Sequence, residues 1–187
     1  QIAMLTAVAE VLMLFDFPLP FAPSFYKIDL SEVPILIGCF AMGPAAGIII
    51  EAMKILLNFI ISGTVTAGVG ELANFAIGCS MVLPAGLIYR YHKTRKNAVL
   101  GMAAGTLVMA AIGGLLNAFV LLPAYAALFG GMDAIIGMGT AVNKNITSVQ
   151  SFVLLSVVPF NLVKGVIVSL VTFLLYKHVS RVLIHNA

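Results

Sequence analysis

Apolar residues run in long blocks along this chain, and polar residues fall mostly between them. The blocks cover about 1–15, 32–43, 44–61, 71–90, 97–122 and 149–177. A helix that crosses a bilayer needs about 20 apolar residues, and the longer blocks reach that length. The block at 32–43 spans only about 18 Å as a helix, so it reads as a short helix meeting the next block at Gly43-Pro44. Three prolines (Pro18, Pro20 and Pro23) argue against a regular helix between the first two blocks. The stretch 123–148 reads as a long connection. The pattern predicts an all-α integral membrane protein with six transmembrane helices in a single domain, 1–187.

Composition strengthens this reading. The chain is 61% hydrophobic and 9% charged, with a mean hydropathy of +1.12. Disorder, a nucleic-acid module and an ordinary soluble enzyme are poor fits to those values. The lipid bilayer is the expected environment, and no nucleic-acid partner is expected. The placement of charge orients the spans. Arg90, Lys93, Arg95 and Lys96 lie between the fourth and fifth blocks, and Lys177 and Arg181 follow the sixth. Basic residues mark the cytoplasmic side, which makes both termini cytoplasmic. The acidic stretch 16–32 and the loops 62–70 and 123–148 then lie outside. Gln1 is not a natural start, so a preceding piece is expected.

Polar side chains inside apolar spans are costly and need a reason. Glu71 and Asn74 open the fourth block, Asn117 approaches the outer end of the fifth, and Asn161 and Lys164 sit one turn apart in the sixth. Their outer depths match, and together they suit a neutral or weakly charged ligand with several hydrogen-bonding edges. An interhelical polar clasp is the alternative. A lone lysine there needs a partner, and Glu71 is a candidate for Lys164. Glu51 and Lys54 are spaced to pair along one helix. A structural pair is the preferred reading; in the alternative of a self-sufficient, ion-driven secondary transporter, they and Glu10 would be the coupling residues. Phe15, Phe17, Phe21, Phe25 and Tyr26 gather in the first outer loop, as an interfacial belt or as a lid over a flat ligand. No GxxxxGK[ST], HExxH or GxSxG motif occurs. No enzyme activity, catalytic residue, metal or cofactor is expected.

Several segments carry a family resemblance. They are Phe15-Asp16-Phe17-Pro18-Leu19-Pro20-Phe21, Tyr26 to Pro34, Gly38 to Pro44, Gly70-Glu71-Leu72-Ala73-Asn74-Phe75, Leu83 to Tyr89, Leu116-Asn117-Ala118-Phe119 and Asn161-Leu162-Val163-Lys164-Gly165. In this order they resemble the riboflavin-specific substrate-binding components of bacterial energy-coupling factor (ECF) transporters. The resemblance implies a multi-pass protein of the bacterial cell membrane that binds riboflavin at an outward-facing pocket. It implies partners as well: a transmembrane coupling protein and two ATPase subunits. Asn117 and Lys164 would be the main polar ligand contacts, with Glu71, Asn74 and Asn161 behind them, and Phe25, Tyr26 and Lys27 covering the pocket. Ala3 and Ala7 would face the coupling protein. FMN or another vitamin is the alternative ligand within this architecture.

Overall fold

The computed structural model describes residues 1–184 apart from Ser24 and Val65; residues 185–187 of the expected domain lie outside the described residues. The elements are α1 (Ile2–Leu14), a minimal hairpin of β1 (Phe17–Pro18) and β2 (Lys27–Ile28), α2 (Glu32–Met42), α3 (Pro44–Ser62) and α4 (Val69–Tyr91). They continue with α5 (Arg95–Phe129) and α6 (Met132–Val142). The last helix, α7, begins as Val149–Phe152, makes one π-helical turn over Val153–Val157 and continues as Val158–Ile184.

Four helices among the described residues are long and apolar enough to cross a membrane: Pro44–Ser62, Val69–Tyr91, Arg95–Phe129 and Val149–Tyr176. Three apolar helices are shorter: α1, α2 and α6.

The breaks follow local chemistry. Gly43 takes a left-handed φ of 99°, a conformation open to glycine. Pro44 then starts α3, where its missing N–H costs nothing. The Thr94 side chain accepts from the Asn97 amide to cap α5, and Ser148 and Ser151 form a reciprocal cap on α7.

The connection expected at 123–148 is largely helical instead. Pro123 does not end α5, because the π-helical turn Asn117–Leu121 just before it absorbs the lost hydrogen bond and the ring's clash with the preceding turn. Pro159 follows the π turn of α7 in the same way, so it does not interrupt that helix. The true stop is Gly130-Gly131, both at positive φ.

Helices α4 and α5 approach closely along Gly101 and Gly105. A Cβ on Gly101 would lie 2.7 Å from the Ala85 carbonyl oxygen, and one on Gly105 would run into the Met81 carbonyl oxygen. Gly101 and Gly105, two small residues four positions apart, therefore serve packing within the bundle. Gly105→Val is expected to cost about 1–3 kcal/mol or more, because backbone cannot step aside as a side chain can. Thermal unfolding in detergent checks this, with Gly137→Ala as control, since a Cβ there meets nothing within 4 Å.

Two apolar clusters build the core. One joins α1 to α5 and α7 around Leu36, Phe40, Met81 and Val168. The other lies at the opposite end of the bundle, where Ile28 of the hairpin meets Leu122, Ile135, Ile146 and Phe152. The unforeseen α6 belongs to this second cluster through Ile135 and thereby helps hold the hairpin loop over the bundle.

Candidate ligand-binding site

Beneath that loop lies a cavity of about 620 Å³, within the range typical of small-molecule sites. All eight ligand-site residues expected from sequence line it: Phe25, Tyr26, Lys27, Glu71, Asn74, Asn117, Asn161 and Lys164. The loop, α4, α5 and α7 converge there.

The two buried amides are held by the helices that carry them. Asn117 Nδ2 donates to the Gly113 carbonyl at 2.7 Å, and Asn161 Nδ2 donates to the Val157 carbonyl at 3.0 Å. Gly113 makes room for Asn161 against α5: a Cβ at that position would lie 2.8 Å from the Asn161 amide nitrogen. The Tyr26 hydroxyl donates to Asn117 Oδ1 at 2.5 Å, tying the loop to α5. Burial raises the Tyr26 phenol, followed by the neighbouring Tyr125, so Tyr26 remains a neutral donor.

Aromatic rings form another part of the wall. Phe25 meets Tyr125 edge-on with centroids 5.6 Å apart, and Tyr26 lies 5.3 Å from Phe160. Phe15 and Phe17 are exposed instead. The loop aromatics thus divide between cavity and surface.

The charges pair differently from expectation. Lys164 Nζ donates to Asp29 Oδ2 at 3.0 Å rather than to Glu71, although the two residues stand 135 positions apart. Glu71 Oε2 accepts from the Thr64 and Thr66 hydroxyls at 3.1 and 3.4 Å. Asp29 Oδ1 accepts from the Ser31 amide at 2.8 Å and also from its hydroxyl. Burial by itself raises the Asp29 carboxyl, but Lys164, then Lys54, and the Ser31 bonds outweigh it and hold it well below the usual carboxylate range. The lowered carboxyl favours the Asp29 anion beside Lys164.

A second charge group adjoins the first. Lys54 lies 2.9 Å from Glu51, which is the expected pairing along α3, but it also reaches Glu32 of α2 at 3.1 Å and the Ser31 hydroxyl at 3.3 Å. All three ionic side chains are fully buried. The pair expected within one helix is thus also a tie between helices. The sequence reading placed Asp29 and Glu32 in an outer loop. The structure buries both, because the hairpin folds back into the bundle and α2 begins inside it.

Sequence reasoning missed Asp29, Glu32, Asn58 and Phe160 as lining residues. Glu32 carried a usable signal, since it is an ionisable residue at the head of an apolar block. Asn58 donates to the buried Glu10 at 3.1 Å, which links α3 to α1. Ala3 and Ala7 stand exposed on α1, while Leu5, Thr6, Ala9 and Glu10 of that helix are buried.

A cavity with aromatic walls, two buried amides and a fixed ammonium–carboxylate pair is built to bind a small, partly flat, hydrogen-bonding molecule. Set among apolar helices, it defines a membrane-embedded substrate-binding protein. The chain belongs to the family described as "ECF transporter, substrate-specific component", whose model matches residues 1–176. It is 36% identical over 182 residues to the riboflavin transporter RibU of Staphylococcus aureus (strain TCH60), covering 97% of this chain and 89% of the relative. It is 33% identical over 176 residues to the riboflavin transporter FmnP of Bacillus subtilis (strain 168), covering 94% of this chain and 87% of that one. A solved structure described as "Structure and mechanism of the S component of a bacterial ECF transporter" shares the fold with a TM-score of 0.76 and 37% identity, over 97% of this chain and 94% of that chain. The chain is therefore a multi-pass transporter component and not an enzyme.

Proposed function

We propose that this protein captures riboflavin from the outer side of the bacterial cell membrane and passes it to an ATP-driven ECF module. The observation that carries the reading is the convergence of Tyr26, Asn117 and Lys164 on one cavity beside Phe25 and Phe160. A flavin ring is flat and apolar at one end, with carbonyl and N–H groups at the other. Phe25 and Tyr26 stack on it, Asn117 and Lys164 meet its polar atoms, and Asn74, Asn161 and Glu71 serve the remaining polar groups. Lys27, ion-paired at 3.0 Å with Asp16 of the same loop, stands at the edge of the cavity. Riboflavin is cargo here, and no cofactor enters the reading.

The topology that goes with this function has six spans in one domain, 1–187, with both termini cytoplasmic. It rests on the basic residues between α4 and α5 and on the short helices α1 and α2 pairing with longer neighbours. Ala3 and Ala7 offer a close-approach face to a transmembrane coupling protein, which two ATPase subunits would drive.

Fluorescence titration of riboflavin into ligand-stripped protein in detergent tests the reading. Flavin emission is expected to be quenched with one-to-one stoichiometry and tight affinity, with FMN competing weakly. Folded protein that leaves riboflavin emission unchanged would overturn the assignment, and FMN binding more tightly than riboflavin would reassign the cargo.

A further inference from the structure

The cavity wall contains an acceptor that no donor among the described residues satisfies. Glu32 lines it, is about 1% exposed, and gives Oε1 to Lys54. Among the described residues no donor reaches its Oε2. A buried carboxylate oxygen without a donor is costly, so the site is incomplete until something brings a hydrogen to it. Gly78 faces both buried acids: a Cβ there would run into Glu51, 2.7 Å from its Cδ, and lie 3.2 Å from Glu32 Oε1, so glycine leaves room for the two carboxylates.

The lining is divided by element. The loop, α5 and α7 contribute the aromatic rings together with Lys27, Asp29, Asn117, Asn161 and Lys164, whereas α2, α3 and α4 contribute polar groups without rings: Glu32, Asn58, Glu71 and Asn74. Rings suit a planar heterocycle, and a row of amides and carboxylates suits a hydroxylated chain. We infer that Glu32 is the buried acceptor for a hydroxyl of the ligand's polyol chain, which extends from the aromatic side toward α2–α4. This rests on the flavin-capture reading and assigns a residue within it.

Removing Glu32 does not strand its lysine, because Lys54 keeps Glu51 at 2.9 Å. The test compares two ligands on Glu32→Leu and Glu32→Gln. One is riboflavin; the other is a flavin whose ribityl chain is replaced by n-pentyl. Fluorescence quenching reads both affinities, and thermal unfolding without ligand checks the fold. Glu32→Leu is expected to raise the Kd of riboflavin at least tenfold and that of the pentyl flavin less than twofold. Glu32→Gln, which keeps one acceptor, is expected to fall between wild type and Glu32→Leu for riboflavin alone. Equal weakening of both ligands would assign Glu32 a packing role and overturn the inference. Unchanged riboflavin affinity in both variants would overturn it too. Wild-type protein that binds no flavin would instead overturn the underlying function, so the two failures are separable.

Discussion

Lys54→Met is expected to destabilise the ligand-free bundle by about 3–5 kcal/mol, the usual cost of breaking a buried ion pair by removing one partner. Lys54 is the cation between Glu32 at 3.1 Å and Glu51 at 2.9 Å, and all three are buried. Methionine fills similar space but leaves two carboxylates facing each other without a counter-charge. The loss belongs to the charge balance, so Lys54→Met combined with Glu32→Gln and Glu51→Gln is expected to recover most of the stability. Thermal unfolding of the three proteins in one detergent decides it. A single variant as stable as wild type would mean that Lys54 carries no structural charge. Because Lys54 also reaches Ser31, the variant should loosen the Asp29 loop as well.

Lys164→Ala is expected to weaken riboflavin binding about 10- to 100-fold, the scale of losing a hydrogen bond to a charged group in a closed site. The substitution also deprives Asp29 of its partner at 3.0 Å. Two effects are therefore mixed: a lost ligand contact and a loosened loop. Asp29→Asn separates them, since it frees the loop but keeps the ammonium. Lys164→Ala with Asp29→Asn relieves the orphaned carboxylate, and if Lys164 touches ligand, binding stays weak in the double variant. Recovery to wild-type affinity would make Lys164 a loop anchor only. Fluorescence titrations of the three variants, with thermal unfolding as the fold control, give the answer.

Much of the architecture could be read from the chain alone, because a bilayer lets a segment cross only when its backbone bonds are satisfied within it. Hydropathy therefore marked the helices without reference to their neighbours. The same economy marked residues that line the candidate site. Asn117, Asn161 and Lys164 interrupt apolar runs, Glu71 and Asn74 open one, and all five line the cavity. The glycines at 101 and 105 announced a close helix approach, which α4 and α5 make.

Tertiary structure decided which charge meets which. Lys164 looked to Glu71 because both belonged to spans at a similar depth. Its actual partner, Asp29, reaches it only because a proline-rich loop folds back and pins itself by Tyr26 to Asn117. The same fold turned Glu32 from a loop residue into a buried cavity wall. Helix α6 and the continuation of α5 past Pro123 were hidden for a related reason. A proline breaks a regular helix by local rules, and whether a π turn rescues it depends on what the extended helix packs against, here Ile28, Ile146 and Phe152. Helix formation in an apolar medium is a local matter of backbone hydrogen bonds, whereas the pairing of buried charges depends on distances that exist only after distant segments have packed.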